Sequence, residues 1–235
     1  MRPNQRRCDE LRPIHFEPNF LRNAAGSVLV RMGGTTVLCA CSIENAVPEF
    51  LVGKGKGWLT AEYAMLPAST LQRKPRDRAG KIDGRSVEIQ RLIGRCLRAI
   101  VRLDRLGERA LWIDCDVLEA GGGTRAAAIN GAYVALALGL RSRPELADAG
   151  IVADSVAAVS VGLVGGVECL DLEYVEDRDA EVDLNLVMTG SGRIIEVQGA
   201  GEEATFSRDQ LNRLLDLGQA GIGRITARQI EALSG

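Results

Sequence analysis

Leu111-Trp112-Ile113-Asp114-Cys115-Asp116-Val117-Leu118, then Gly121-Gly122-Gly123-Thr124-Arg125, then an apolar, Ala-rich run to Leu138, follow one another near the middle of the chain. The first stretch alternates and is partly β-branched, which predicts a strand. Three glycines break it. The run from Arg125 to Leu138 carries apolar residues on every side and predicts a helix that must be buried.

Working outward, Ser27 to Val30, Gly33-Gly34 and Thr36 to Cys41 form a hairpin pattern with a Gly-Gly turn. Trp58 to Met65 predicts a further strand. Gly53 to Gly57 and Pro67 to Lys81 are loop-like and basic. From Ser86 onward, Ile89, Leu92, Ile93, Cys96, Leu97 and Ile100 fall on one helical face, with Arg91, Arg95 and Arg98 on another. The second half repeats the plan. Val156 to Val164, Gly165-Gly166 and Val167 to Tyr174 predict a hairpin, and Val182 to Met188, Gly190-Ser191-Gly192 and Arg193 to Val197 another. Ser207 to Leu217 and Thr226 to Leu233 predict two helices, the first opening on the capping box Ser207-Arg208-Asp209-Gln210. Strands followed by helices, twice over, predict an α+β domain across 1–235, built from similar β-α halves at about 1–140 and 150–235.

Hydrophobic residues make up 46% of the chain, charged residues 26% and aromatics 4%, so the core is aliphatic. No apolar run reaches membrane-spanning length, and Met1 to Leu11 lacks the apolar stretch of a signal peptide. The six cysteines are scattered with no Cys-x-x-Cys pair, which predicts a reduced, cytoplasmic protein without zinc. His15 is the only histidine, and neither a nucleophile elbow nor a Walker loop is present.

Net charge is −2, yet its distribution is uneven. Nine basic residues stand against three acidic ones from Arg73 to Arg98; eight acidic residues stand against Arg178 alone from Glu168 to Asp183. Such a pair of segments suits a site that holds phosphates and a divalent metal together, and equally suits two solvated surfaces. At Gly121 to Arg125, glycines let backbone N–H groups approach an anion, the helix N-terminus adds partial positive charge, and Thr124 and Arg125 offer further donors. The same residues also suit a tight turn with an exposed arginine. Asp83-Gly84-Arg85-Ser86 places an arginine and a hydroxyl at a second helix start, or is a plain N-cap. Asp177 and Asp183 converge if a short turn links two strands there; paired carboxylates without histidine or cysteine suit magnesium, and an acidic surface turn is the alternative.

At these residues the sequence resembles the bacterial ribonuclease PH family, almost end to end. The matching stretches include Arg2-Pro3, Asp9-Glu10-Leu11-Arg12-Pro13, Gly26-Ser27-Val28-Leu29-Val30 and Thr36-Val37-Leu38-Cys39. Gly53-Lys54-Gly55-Lys56-Gly57-Trp58, Thr60-Ala61-Glu62-Tyr63 and Met65-Leu66-Pro67 follow, then Gly84-Arg85 and Glu88-Ile89-Gln90-Arg91-Leu92-Ile93. Asp114-Cys115-Asp116-Val117, Gly122-Gly123-Thr124-Arg125, Asp171-Leu172-Glu173-Tyr174-Val175-Glu176-Asp177 and Arg193-Ile194-Ile195-Glu196-Val197-Gln198-Gly199 complete the match. Gly121 stands where the family usually has an acidic residue, and Ala126 where it has a hydroxyl.

The resemblance implies a ribonuclease PH-type domain and a phosphorolytic 3′→5′ exoribonuclease, a nucleotidyltransferase that trims tRNA precursors and releases nucleoside diphosphates. It implies that Arg85, Gly123, Thr124 and Arg125 bind the attacking phosphate, and that Asp177 and Asp183 belong to the catalytic Mg2+ site. It also implies RNA binding by the basic loop at Arg73 and Arg76, to which Arg91 is added, and assembly as a homo-hexamer, a trimer of dimers. Two other classes fit less well: a catalytically silent RNA-binding ring subunit, against which intact Arg85, Arg125, Asp177 and Asp183 argue, and a small-molecule phosphotransferase, for which Gly121 to Arg125 is too short a phosphate loop.

Overall fold

The computed structural model describes residues 2, 5–76, 83–202 and 204–235; Pro3, Asp77, Arg78 and Lys81 of the sequence reading lie outside them. Strands β1 (Ile14–Pro18), β2 (Gly26–Met32) and β3 (Thr35–Glu44) run antiparallel, with Gly33-Gly34 turning β2 into β3 as expected. Strand β4 (Trp58–Met65) matches its expected bounds. Helix α1 (Gly84–Ile100) buries Ile89, Leu92, Ile93, Cys96, Leu97 and Ile100, the face that the spacing predicts. Each buried leucine or isoleucine contributes about 1.5–3 kcal/mol, which fixes that face inward. Strand β5 (Ala110–Glu119) returns between β3 and β4. The sheet order is β1-β2-β3-β5-β4, and only β4 and β5 are parallel.

Helix α2 (Thr124–Arg141) is buried around nearly its whole circumference. It packs on β2 and β3 on one side and on β6 (Val156–Val164) of a second sheet on the other, which is why its sequence is apolar all round. A short helix, α3 (Pro144–Ala147), lies between α2 and β6. The second sheet has the order β7-β6-β8-β9, all antiparallel, with β7 (Val167–Leu170), β8 (Val182–Thr189) and β9 (Ile194–Gly201). Strand β7 covers only the far half of β6. Where it stops, Asn130 of α2 takes over the exposed backbone, donating to the Ala158 carbonyl at 2.9 Å and accepting from the Ala158 amide at 2.7 Å.

Two expectations are corrected. The second hairpin does not run to Tyr174: Asp171 adopts a left-handed φ of 56°, β7 ends at Leu170, and Tyr174–Asp179 is a short helix, α4, with a capping box between Glu173 and Glu176. Asp177 therefore sits on a helix rather than in a turn between strands. The two C-terminal helices are one, α5 (Arg208–Ser234), opened by the expected box of Ser207 and Gln210. Each interior glycine costs a helix about 1 kcal/mol. Here a Cβ on Gly218 would stand 2.7 Å from Leu186 and one on Gly221 2.7 Å from Leu170, so these glycines admit close packing on the sheet instead of ending the helix. Strand β1 is an addition to the elements that the sequence predicts. No helix among the described residues is long and apolar enough to cross a membrane.

Candidate active site

The break between β5 and α2 is shaped by two glycines in left-handed conformations, Gly122 with φ 103° and Gly123 with φ 66°. Their neighbourhood leaves no room for side chains: a Cβ on Gly122 would stand 2.5 Å from the Tyr174 amide at the start of α4, and one on Gly121 2.7 Å from the Gly34 backbone. The loop carbonyls face inward. Thr35 donates its hydroxyl to the Gly122 carbonyl at 2.6 Å and accepts from the Gly121 amide at 3.0 Å. Arg12 donates to the carbonyls of Gly121 at 3.3 Å and Gly122 at 3.2 Å. With the carbonyls held back, the first amides of α2 lack any side-chain cap, a cradle that can receive an anion.

Thr124 and Arg125 follow at once. The Thr124 hydroxyl, buried, accepts from the Tyr63 phenol of β4 at 2.9 Å. Arg125 reaches across to α1 and β9, donating to Glu88 at 3.2 Å and to the Gln198 side-chain oxygen. Arg85 stands exposed in the first turn of α1, whose N-cap Asp83 accepts from the Arg85 amide at 3.3 Å. Ser86, expected as a second donor there, is buried instead, and its Oγ has no partner among the described residues.

Asp177 of α4 and Asp183 of β8 converge, as their spacing suggested, although helix and strand bring them together rather than a turn. Burial raises the Asp177 carboxyl above its ordinary value, with Arg85 and Arg125 only partly offsetting it. Burial, together with the charge of Asp177, pushes Asp183 up to about 6. Its Oδ1 is buried without a partner among the described residues, and its Oδ2 takes a long 3.4 Å bond from Asn185. The structure therefore brings Arg85 and Arg125 within electrostatic reach of both Asp177 and Asp183, with Thr124 next to Arg125 at the start of α2, and no group of three His, Cys, Asp or Glu side chains able to hold a metal occurs among the described residues.

The rest of the acidic segment goes elsewhere. Glu168 pairs with Arg213 at 2.7 Å, Asp171 with Arg12 at 2.7 Å, Glu176 with Arg2 at 2.6 Å and Arg6 at 3.1 Å, and Asp179 with its neighbour Arg178 at 2.7 Å. Of these, the pairs of Asp171 and Glu176 are buried and brace the fold, while those of Glu168 and Asp179 lie at the surface. The basic segment divides similarly. Arg95 pairs with Glu196 at 3.0 Å, and Arg98 lies over the Trp58 ring, 5.3 Å from its centre. Arg73, Arg76 and Arg91 are exposed, and Lys74, 2.5 Å from Asp83, tethers the loop of Arg73 and Arg76 beside the start of α1.

Sequence reasoning passed over Tyr63, Arg12, Glu88 and Gln198. A tyrosine on the inward face of a strand needs a partner for its hydroxyl, and that was a usable signal. Arg12 had none, because its partner lies 159 residues away.

Comparison with known proteins follows the same lines. The models of the 3′ exoribonuclease family match residues 10–139 (domain 1) and 154–221 (domain 2). The chain is 53% identical to ribonuclease PH of Geobacillus sp. (strain WCH70) over 99% of its length and 93% of that protein. It is also 53% identical to ribonuclease PH of Bacillus subtilis (strain 168), over 99% of its length and 97% of that protein. Among solved structures, rice (Oryza sativa) Rrp46 superposes with a TM-score of 0.82 at 21% identity, covering both chains in full. A chain of the Archaeoglobus fulgidus exosome with RNA bound to the active site gives a TM-score of 0.79 at 21% identity, over 97% of this chain and 92% of that one. The last two likenesses concern the fold.

Proposed function

The chain belongs to the 3′ exoribonuclease family, and from that premise we propose that it shortens RNA from the 3′ end by phosphorolysis at the site just described. Inorganic phosphate is held by Arg85, Thr124, Arg125 and the backbone amides from Gly123 onward. One phosphate oxygen attacks the phosphorus of the last phosphodiester. The bond from that phosphorus to the 3′ oxygen of the preceding nucleotide breaks, the 3′ oxygen takes up a proton, and a nucleoside diphosphate leaves. Two anions meet here, so two arginines and a helix N-terminus on one side of the reaction are what the electrostatics require.

The carboxylates on the other side suit a hard divalent cation. Asp177 and Asp183 offer oxygen donors, both disfavour ionisation without a counter-charge, and the Asp183 Oδ1 has no partner among the described residues. They would hold Mg2+ with phosphate oxygens and water, and the ion when bound would neutralise charge on the transferred group. Arg73 and Arg76, with Arg91, track the RNA backbone, and 2′-hydroxyl contacts select RNA over DNA. The substrates are tRNA precursors and other RNA 3′ ends. The chain assembles as a homo-hexamer in the cytoplasm on this proposal; exposed Ile194 and Val197 on β9 and Tyr174 and Val175 on α4 support burial against other copies.

The convergence of Arg85 and Arg125 with Asp177 and Asp183 carries this reading. Its test is a tRNA with extra 3′ nucleotides, incubated with and without phosphate. Diphosphates that appear only with phosphate are expected; monophosphates released at equal rate without it would make the enzyme a hydrolase.

A further inference from the structure

We propose that Tyr63 is a positioning residue for the attacking phosphate, acting through the Thr124 hydroxyl; this rests on the phosphorolytic reading above. Tyr63 lies on the inward face of β4 and Thr124 is the first residue of α2, so the contact joins the edge strand of the first sheet to the anion cradle. Both residues are buried, at 4% and 7% exposure, which shields the contact between them from bulk solvent. The phenol oxygen is 2.9 Å from the Thr124 Oγ1. It also lies within reach of the charges of Arg85 and Arg125.

A threonine hydroxyl has one proton and two lone pairs. Alone at a helix start it can rotate, and it can turn its proton away from the ligand. Tyr63 removes that freedom. A buried phenol holds on to its proton, since burial raises its pKa, and its hydrogen bond to Thr124 saturates one lone pair of Oγ1. The Thr124 proton then has the cradle as its open direction. A phosphate there receives a hydrogen bond from Thr124 that is itself strengthened by the bond from Tyr63, because donors in a chain polarise one another. Tyr63 does not touch phosphate in this arrangement. It converts Thr124 from a hydroxyl of undefined direction into a fixed donor beside the two arginines.

The test measures phosphate KM and RNA KM separately for wild type, Tyr63→Phe, Thr124→Val and the double variant, with a melting temperature for each. Tyr63→Phe is expected to raise phosphate KM by about 2- to 10-fold, the size of one lost hydrogen bond, and to leave RNA KM unchanged. The double variant is expected to be no worse than Thr124→Val alone, since Tyr63 acts only through that hydroxyl. An unchanged phosphate KM, additive losses in the double variant, or both KM values rising with a lowered melting temperature would each overturn the proposal. Should Tyr63→Phe fold poorly, 3-fluorotyrosine at position 63 keeps the ring and hydroxyl but donates more strongly. Phosphate KM then falls if the proposal holds and stays put if it does not. Wild type releasing diphosphates only with phosphate separates the two levels: if it does not, the reaction itself is misread; if it does and the variants disagree, only the role of Tyr63 fails.

Discussion

Glu176 and Asp177 are neighbours on α4, and their surroundings are opposite. Burial pushes the Glu176 carboxyl up, but hydrogen bonds from Arg2 and the Glu173 amide, with the charge of Arg6, outweigh it and hold Glu176 below its ordinary value. Burial likewise pushes Asp177 up, and there the arginines Arg85 and Arg125 act from a distance and leave it raised. Asp171 and Asp183 repeat the contrast: the first takes three hydrogen bonds from Arg12, the second has a buried oxygen without a partner among the described residues. A buried carboxylate with its arginine is part of the frame. A buried carboxylate left short of counter-charge belongs to whatever the frame holds.

The contrast breaks most sharply at the second kind. Asp177→Asn and Asp183→Asn should each lower turnover by on the order of 100-fold or more, since the proposed magnesium site loses one of its two carboxylates. The two carboxyls repel, so melting temperature without magnesium should hold or rise slightly. Turnover and melting temperature across a magnesium titration decide it; near wild-type turnover at limiting magnesium, or melting many degrees lower, would move these aspartates into the frame.

Arg12→Ala should do the reverse. Removing one partner of a pair whose side chains are 1% and 2% exposed leaves Asp171 charged and buried, at a cost of about 3–5 kcal/mol. For a chain of this size that is roughly 10 °C in melting temperature. Denaturant unfolding checks it, and a loss under about 1 kcal/mol would deny Arg12 its structural role.

Between the extremes, Arg125→Ala should raise phosphate KM by about 10- to 100-fold while moving RNA KM little, because a charge-assisted contact of about 1.5–3 kcal/mol disappears. A weakened RNA KM with phosphate KM unchanged would reassign Arg125 to the RNA. The smallest effect is expected from Arg73→Ala with Arg76→Ala: weaker binding of tRNA precursors, short oligonucleotides spared, and a salt dependence flatter by roughly 0.7 to 0.9 per lost contact. Equal losses on both substrates would bring these arginines into the active site.

Much of this was readable from local pattern. Gly33-Gly34, Gly165-Gly166 and Gly190-Ser191-Gly192 mark three turns, and the glycines before Thr124 mark the cradle, because turn chemistry is set by adjacent residues. The pairing of charges was not readable. Glu168 to Asp183 looks like one acidic cluster, yet Glu176 finds Arg2 across 174 residues and Asp171 finds Arg12 across 159. The continuity of α5 through Gly218 and Gly221 escaped for the same reason, since the leucines that make those glycines favourable, Leu186 and Leu170, lie on another element.

The bonds from Arg2, Arg6 and Arg12 to Asp171 and Glu176 also set an order of events during synthesis. Arg2, Arg6 and Arg12 are stationed by residues translated 159 to 174 positions later. Until those emerge, the glycine loop has no Arg12–Asp171 brace and α2 has no second sheet to cover its far side. A nascent chain that has reached only Arg141 therefore carries the complete glycine loop and an apolar helix open to solvent, a state that depends on the remaining residues arriving before another chain does.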